Sequence, residues 1–362
     1  MTESRRHSLK SPQLLPHGAV IRDTYTVDEH IGSGAFADVY RVRHRYMGMQ
    51  AMKVLRDGRA EAQRAAGLFE AFRLSRISHP AIVRVFDGNC LEAALGGHPY
   101  VTMELVDGGT LEDLSGSSGP RFVSNLLDAC EQLASALAHA HGQSPSIVHR
   151  DVKPTNVLVH WSDGGAISVR LADFGLAVPV DETLGFADGH GTIAYRSPES
   201  LFGFETPASD VYSWGLTVYE AATGVFPFKA KLRDRETDST SQLVEALREI
   251  QKQPLDPPSF FRHAIHPAID VVVMRALVVD HERRIRDGKS LEIATRAMRA
   301  AVEGDPTPSP TLAKALRICQ DPANGAKSLD LLGKSLRAEQ SRGTAYLPML
   351  GFLRAERDRL NP

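Results

Sequence analysis

The chain of 362 residues has little cysteine, no large excess of charge of either sign and no long apolar run. Its three cysteines, Cys90, Cys130 and Cys319, lie far apart and form no CxxC pair. This sparse, odd number argues against a disulfide framework or a cysteine-based metal site, and favours a reducing compartment. The 42 basic and 44 acidic residues give a net charge of −2, so no basic bias points to nucleic acid or an anionic membrane as a partner.

The chain also lacks the pattern of a signal peptide or a membrane span. Its first residues are polar, and its most apolar run, 268–279, is interrupted by Asp270 and Arg275. That run is shorter than the roughly 20 apolar residues that cross a bilayer. We therefore expect a cytoplasmic protein. The contents of 42% apolar and 24% charged residues are those of a globular chain, and the length suggests two or three folding units.

The hydrophobic pattern divides the chain into a strand-rich part and a helical part. Residues 1–18 are polar and aperiodic, which predicts a flexible tail. A domain over 19–106 is predicted to be a small antiparallel sheet carrying one helix, at 59–77. The strand patterns lie at 25–27, 39–42, 49–55, 82–86 and 100–106.

Helical spacing dominates from 107 onwards and predicts a mainly helical second domain over 107–302. Its helical segments are 122–141, 207–223, 240–252, 267–278 and 288–303. The proline-rich segment 303–311 is predicted to be a linker, and 312–362 a helical C-terminal extension. This extension carries no motif that assigns a role. It could brace the second domain, occupy a substrate groove as an inhibitor, or dock a partner.

Two features of the first domain are weak signals when each is taken alone. Residues 31–39, IGSGAFADV, form a glycine-rich segment between two predicted strands. Such a segment is either a simple hairpin or a loop whose backbone N–H groups approach phosphate oxygens. Lys53 lies in an otherwise apolar strand. It either faces solvent or pairs with Glu70 on the following helix, since a buried ammonium needs such a partner.

The strongest signal is the segment 149–156, HRDVKPTN, which lies between two short apolar strands. Asp151 could accept a proton from a hydroxyl, Lys153 could neutralise a phosphate in transfer, and Asn156 could hold a metal through its amide oxygen. Asp173-Phe174-Gly175 follows seventeen residues after Asn156. The two motifs together, after a glycine-rich loop and an isolated strand lysine, are not a chance combination.

These motifs, in this order, resemble those of the eukaryotic-like (Hanks-type) serine/threonine protein kinases over about residues 21–302. The resemblance implies an α+β class and a bilobal protein kinase fold, with a small antiparallel sheet and one helix in the N-lobe and a mainly helical C-lobe. It implies transfer of the γ-phosphoryl group of ATP to serine or threonine hydroxyls. The ATP-binding residues implied are Ile31, Gly32, Ser33, Gly34, Val39, Ala51, Lys53, Glu104, Val106 and Leu158.

The resemblance also implies catalytic roles. Asp151 would be the catalytic base, Lys153 would contact the γ-phosphate, and Lys53 would hold the α/β-phosphates while paired with Glu70. Asn156 and Asp173 would bind Mg²⁺ or Mn²⁺. No catalytic position is degraded, although Ala37 replaces the third loop glycine and Ser197 begins the usual Ala-Pro-Glu triplet.

Structural roles are implied for a further set of residues. Glu199 would form a buried ion pair with Arg284, and Asp210 would anchor the catalytic-loop backbone. Leu74, His149 and Phe174 would stack as an apolar spine.

The position of Lys153, two residues after the base, matches serine/threonine rather than tyrosine kinases, and the resemblance implies a protein substrate. Autophosphorylation, aided by self-association, would put a phosphate on Thr183, where Arg150 could pair with it. Alternatively, Asp181, Glu182 or Asp188 supplies that negative charge permanently. Two other readings remain open: a kinase-fold scaffold that binds ATP or a partner without turnover, and a kinase acting on a small molecule. The preference for arginine over lysine suggests a bacterial source.

Overall fold

The computed structural model describes residues 14–34, 37–56, 77–115, 117, 119–174, 193–233, 239–321, 325–338 and 343–360. These residues fall into two compact units. The first takes its described residues from 14–78 and 83–105, and the second from 79–82 and from 106 to the C-terminus. Nearly all of the helix predicted at 59–77 lies outside the described residues, as do Glu70, Leu74, Thr183 and the rest of 175–192.

The first unit is built on a six-stranded antiparallel sheet with the strand order β1-β2-β3-β4-β6-β5, which confirms the sheet predicted for this part of the chain. Its strands are β1 Val20–Ile21, β2 Tyr25–Ser33, β3 Ala37–His44, β4 Gly48–Leu55, β5 Val85–Cys90 and β6 Pro99–Met103. Side chains alternate between the two faces of a strand. In β4 this alternation places Met52 and Val54 in the core, so Ala51 and Lys53 share the opposite face.

Three details of the first unit differ from the sequence-based expectations. Leu15 is only 1% exposed and belongs to the core, although a flexible tail was predicted through residue 18. The strand predicted at 82–86 is β5 at Val85–Cys90, and the one predicted at 100–106 ends at Met103. The polar sequence of β5 has little strand propensity, and its ladder with β6 decides its conformation.

The second unit combines a three-stranded sheet with eleven α-helices among the described residues. The strands are β7 Gly109–Thr110, β8 Val157–Trp161 and β9 Ile167–Leu171. The helices are α1 Glu112–Ser115, α2 Phe122–His141, α3 Pro207–Thr223, α4 Lys229–Arg233, α5 Thr240–Ile250, α6 Pro258–Phe261, α7 Pro267–Ala276, α8 Gly288–Gly304, α9 Pro310–Ile318, α10 Gly325–Ala338 and α11 Leu347–Leu360. In this part of the chain, no helix is both long and apolar enough to cross a membrane.

Helices α2 and α8 pack closely against each other, and α3 packs against α2. At the start of helix α3, Ser209 Oγ accepts the backbone N–H of Thr206 at 3.1 Å, as in a capping box, and Pro207 lies in the first turn. Gly288, the first residue of α8, lies so close to α2 that an added Cβ atom would stand 2.3 Å from the backbone nitrogen of Ala138. Only glycine permits this approach, which brings α8 against the end of α2.

The C-terminal helices pack on the second unit rather than standing apart from it. Helix α11 packs on α8, and α9 packs on α7. The buried Arg275 donates from Nε to the carbonyl oxygen of Cys319 at 2.8 Å, at the C-terminal end of α9. Arg359 donates to the carbonyl oxygens of Glu282 and Arg284 at 2.8 and 2.7 Å. Of the three roles open for this extension, these contacts favour the brace.

Asp270, in the first turn of α7, is a buried carboxyl group in an unfavourable environment. Its side chain is 0% exposed. One oxygen accepts the backbone N–H of Ser259 at 2.9 Å, and the other has no hydrogen-bond partner among the residues that the structure describes. Burial raises the pKa of Asp270 to about 6, from an ordinary value of 3.8.

The raised pKa predicts a pH-dependent effect of Asp270→Asn. The protonated form is favoured in the folded state, so the stability of the wild type falls as the pH rises from about 4 through 6. Asparagine carries no charge and escapes this loss. From pH 5 to pH 8, we expect the free energy of unfolding of the variant, relative to the wild type, to improve by about 1.5 kcal/mol. Urea unfolding at the two pH values measures this change. Asp256→Asn, at an exposed carboxylate, is the matched control, and equal changes in both variants would contradict the prediction.

Candidate active site

The glycine-rich segment forms the hairpin between β2 and β3. Gly32 pairs with Val39 and Ser33 with Asp38, and the N–H of Gly34 donates to the carbonyl oxygen of Ala37 at 2.8 Å. A Cβ atom added to Gly32 would meet no described atom within 4 Å, and one added to Gly34 would meet only the Ala37 oxygen at 3.8 Å. Packing within the described residues therefore does not require either glycine. Backbone without a Cβ atom at these positions permits close approach of another group.

The predicted nucleotide residues of the first unit lie on this hairpin, on β4 beside it and directly after β6. Lys53 of β4 pairs with Val39 on one side and with Val101 of β6 on the other. It is half-buried, and its predicted partner Glu70 lies outside the described residues. Ile31 is exposed and Val39 half-buried, so both keep apolar surface accessible. The N–H of Glu104 donates to the carbonyl oxygen of Arg84 at 2.8 Å.

The catalytic-loop residues of the second unit are anchored by Asp210 of α3. This buried carboxylate accepts the backbone N–H groups of His149 and Arg150 at 2.6 and 2.8 Å. It also accepts a hydrogen bond from Nε2 of His141 at 2.9 Å. Arg150 has a φ of 71° and Asp173 a φ of 62°, left-handed values that cost about 1–3 kcal/mol outside glycine. The bond to Asp210 stabilises this backbone at Arg150, as the resemblance implied.

His149 connects the two motifs of this unit. Its Nδ1 accepts the N–H of Asp151 at 3.2 Å, so Nε2 carries the proton and donates to the carbonyl oxygen of Ala172 at 2.9 Å. Burial lowers the pKa of His149, which keeps the ring neutral. The ring meets Phe174 edge to face with centroids 4.4 Å apart. This is the contact expected between the two residues, while Leu74 lies outside the described residues.

Asp151 is the centre of a small polar cluster. Lys153 Nζ lies 2.8 Å from Asp151 Oδ2. The amide nitrogen of Asn156 donates to the same oxygen and to the Asp151 backbone carbonyl, each at 2.8 Å. Among the residues described, none donates to Oδ1. One carboxylate oxygen is therefore fixed by two donors, and the other can accept a hydrogen bond from a hydroxyl group.

Asn156 and Asp173 are brought together by the hairpin of β8 and β9. Val157 pairs with Leu171, and the Asn156 carbonyl oxygen accepts the N–H of Ala172 at 2.8 Å. Leu158, on β8, is half-buried. The Asn156 side-chain NH₂ group donates both of its hydrogen bonds to Asp151, so the amide oxygen takes no part in these bonds. An amide oxygen and a carboxylate at neighbouring positions are hard oxygen donors of the kind that Mg²⁺ prefers.

The predicted ion pair of Glu199 and Arg284 is present. Two guanidinium nitrogens of Arg284 bond the two carboxylate oxygens at 2.6 and 2.9 Å. Ser209 adds a hydrogen bond to the same carboxylate at 2.9 Å. Burial alone would raise the pKa of Glu199, but the hydrogen bonds and the positive charge of Arg284, together with the hydrogen bond from Ser209 and one to the backbone, outweigh it and hold that pKa below its usual range.

His141 is a positioning residue that the sequence reasoning did not single out. Its Nδ1 accepts the N–H of Gly288 at 2.9 Å, and its Nε2 donates to Asp210. One ring therefore joins the start of α8 to the anchor of the catalytic loop. The available signal was a histidine on the apolar face of the predicted helix at 122–141, a position more often filled by an aliphatic side chain.

Comparison with known proteins gives the family. The model of the protein kinase domain matches residues 25–295. The chain therefore belongs to the protein kinase family, and its curated relatives include bacterial serine/threonine-protein kinases, which confirms the resemblance. Serine/threonine-protein kinase PknB of Mycolicibacterium smegmatis is 35% identical over 283 residues, which are 73% of this chain and 41% of that protein.

Other relatives agree with this assignment. The probable serine/threonine-protein kinase PknB of Lactococcus lactis is 32% identical, covering 77% of this chain and 43% of that protein. The chain thus spans about two-fifths of the length of the curated relatives it matches. The crystal structure of the Mycobacterium tuberculosis PknI kinase domain has a TM-score of 0.57 at 24% identity, and covers 78% of this chain and 98% of that one. This structural similarity confirms the protein kinase fold.

Proposed function

We propose that this chain is an ATP-dependent protein serine/threonine kinase, which transfers the γ-phosphoryl group of ATP to serine or threonine hydroxyls. The observation that carries the proposal is the Asp151 carboxylate. Lys153 and Asn156 hold its Oδ2, while its Oδ1 is directed to no donor among the described residues. A carboxylate held in this way can accept the hydrogen of an incoming hydroxyl and orient its oxygen for attack on phosphorus.

The first unit would supply most of the nucleotide-binding residues. Backbone N–H groups at Gly32 and Gly34 would approach the phosphates, and the open space that the described residues leave around both glycines supports this role. Lys53, paired with Glu70, would bind the α/β-phosphates. The proposed ATP-binding set is completed by Ile31, Ser33, Val39, Ala51 and Glu104 of the first unit and by Val106 and Leu158 of the second, which would supply apolar contacts to the adenine and hinge bonds from the backbone.

Asn156 and Asp173 would hold the metal ion. Among the described residues no group of three or more His, Cys, Asp and Glu side chains could bind a metal. Mg²⁺ does not require such a cluster, because it takes one or two protein oxygens and completes its shell with phosphate oxygens and water. When bound, the ion neutralises charge on the phosphate oxygens. The hard oxygen donors favour Mg²⁺, and Mn²⁺ suits the same donor set.

The side chains then need to do little covalent chemistry. Asp151 Oδ1 accepts the hydrogen of the substrate hydroxyl, while the Lys153 ammonium, 2.8 Å from Oδ2, provides positive charge beside the transferring group. The neutral His149 and the buried Asp210 hold the loop backbone in its left-handed conformation at Arg150. Positioning and fixed charge are the main contributions that proteins make to phosphoryl transfer.

We further propose that regulation involves Arg150 and Thr183. Two copies of the chain would associate transiently, and a phosphate placed on Thr183 would pair with the Arg150 guanidinium. The protein would act in the cytoplasm on protein substrates. This part rests on the motifs, because Thr183 lies outside the described residues.

The test is incubation of the purified protein with ATP and Mg²⁺, followed by intact mass measurement, with Asp173→Ala as the matched variant. We expect stepwise gains of phosphate in the wild type only, and transfer to a generic protein substrate. Parallel reactions with Mn²⁺ and with EDTA identify the metal requirement, and peptide mapping tests Thr183. Absence of any gain and of any transfer, with ATP still bound, would replace the proposal with an ATP-binding scaffold.

A further inference from the structure

The carboxylate of Asp38 is buried beside the glycine-rich turn, with its side chain 1% exposed. It is paired with Arg56 in a two-pronged arrangement. Nη2 of Arg56 lies 2.5 Å from Oδ1, and Nε lies 3.1 Å from Oδ2. Such fork-to-fork pairs fix geometry more strictly than single contacts do.

Two further side chains of the same hairpin join this pair. Ser33 donates its hydroxyl hydrogen to Asp38 Oδ1 at 2.8 Å, and Arg56 Nη2 reaches Ser33 Oγ at 3.4 Å. His30 Nε2 lies 3.0 Å from Ser33 Oγ and 3.3 Å from Asp38 Oδ1. The His30 ring is held edge to face against Tyr40 of the core at 5.2 Å.

This cluster connects the turn to the strand that carries Lys53. Ser33 and Asp38 form the last residue pair of the β2–β3 ladder, next to the turn. The turn itself is closed by the hydrogen bond from the Gly34 N–H to the Ala37 carbonyl oxygen. Arg56 follows the end of β4, three residues after Lys53. The base of the turn is therefore tied by one partly buried pair to the strand of the proposed phosphate-binding lysine.

Stability alone does not account for this arrangement. Removing the Asp38 carboxylate from water is unfavourable, and its partner Arg56 is partly exposed, where ion pairs add little to stability. Burial by itself raises the pKa of Asp38, but hydrogen bonds from Arg56, Ser33 and His30 lower it below its usual range. The charged pair is thus formed at neutral pH. What it provides beyond apolar packing is a defined geometry at the turn.

We propose that Asp38 and Arg56 are positioning residues for the nucleotide, which hold the glycine-rich turn ready for phosphate before ATP binds. The inference rests on the proposed function, because phosphate binding by Gly32 and Gly34 is part of it. When Gly32, Ser33 and Gly34 are already held in position, they lose less conformational entropy on binding, so the effect falls on ATP affinity. The chemical step, which depends on Asp151, is unaffected.

The test is Asp38→Asn, which keeps the size of the side chain and removes its charge. We expect the Kd and KM for ATP to rise about tenfold, with kcat and the KM for a peptide substrate close to the wild-type values. Arg56→Lys keeps a charge without the fork and should recover part of the ATP affinity that Arg56→Gln loses. The double variant Asp38→Asn/Arg56→Gln should bind ATP at least as tightly as the single variant with the lower ATP affinity.

Asp28→Asn is the matched control. Asp28 pairs with Arg41 at 2.5 Å in the same hairpin, away from the turn, so this variant should leave the Kd for ATP unchanged.

Calorimetric titration with ATP measures affinity without turnover, so this inference and the proposed kinase function can fail separately. A wild type that binds ATP without transferring phosphate, with Asp38→Asn binding more weakly, refutes the kinase proposal and supports this inference. An active enzyme whose Asp38 and Arg56 variants bind ATP like the wild type, or lose only kcat, overturns the inference. If Asp38→Asn does not fold, the Arg56→Lys and Arg56→Gln pair decides the same question.

Discussion

Replacing Asp151 with asparagine is expected to lower kcat for peptide phosphorylation by about 10²- to 10⁴-fold. The amide oxygen can still accept a hydrogen bond but cannot take up a proton at neutral pH, so the substrate hydroxyl loses its proton acceptor. The substitution also removes the charge that attracts Lys153, which lies 2.8 Å away. The Kd for ATP should not rise, because less negative charge then faces the nucleotide phosphates. Steady-state kinetics and calorimetric ATP titration measure the two quantities.

Asp163→Asn is a suitable control for this variant, since Asp163 is an exposed carboxylate in the turn between β8 and β9. It should leave kcat unchanged. If Asp151→Asn keeps a kcat close to that of the control, Asp151 is not the proton acceptor, and the proposed mechanism is wrong. If instead it loses ATP binding together with kcat, Asp151 acts mainly on the nucleotide.

Replacing Arg284 with methionine is expected to reduce the free energy of unfolding by about 3–5 kcal/mol. The Arg284 side chain is 0% exposed and bonds both oxygens of Glu199. It also donates to three backbone carbonyl oxygens at 2.8 to 3.0 Å, those of Ala208, Val278 and Val279. Methionine leaves the Glu199 carboxylate nearly buried without its counter-ion and the three carbonyl groups without a donor.

The pH dependence of this loss has a defined sign. Because Arg284 holds the pKa of Glu199 below its usual range, the pair contributes stability above that usual range, and this contribution falls as the pH drops. The deficit of the variant should therefore be largest near neutral pH and smaller in acid. Urea unfolding at neutral and at acid pH measures the deficit under the two conditions.

Two companion variants test the explanation. Arg286→Met removes an exposed arginine that pairs with Asp287 at 3.1 Å, and should cost less than about 1 kcal/mol. Glu199→Leu combined with Arg284→Met should recover part of the loss, because it removes the unpaired charge. Equal stabilities of Arg284→Met and Arg286→Met would show that the pair has no structural weight.

The sequence by itself determined the local features of this protein. The helices at 122–141 and 207–223 have the bounds that their 3.6-residue periodicity predicted, since apolar spacing and capping residues are local properties. The motif at 149–156 was equally readable, because a loop that brings Asp151, Lys153 and Asn156 together needs all three within a few residues. The family followed from the order of such motifs.

Only the tertiary structure decided the features that join distant residues. No periodicity connects His141 with Asp210 and Gly288, or Asp38 with Arg56, because each contact depends on how separate elements pack. The position predicted for the strand β5 was wrong for the same reason, because its ladder with β6, and not the propensity of its own residues, makes it a strand. The buried, half-satisfied carboxyl of Asp270 is likewise invisible in the sequence. Local sequence patterns indicate which face of a helix or strand is apolar. The packing of the elements then decides which partner covers that face and which polar groups are buried with it.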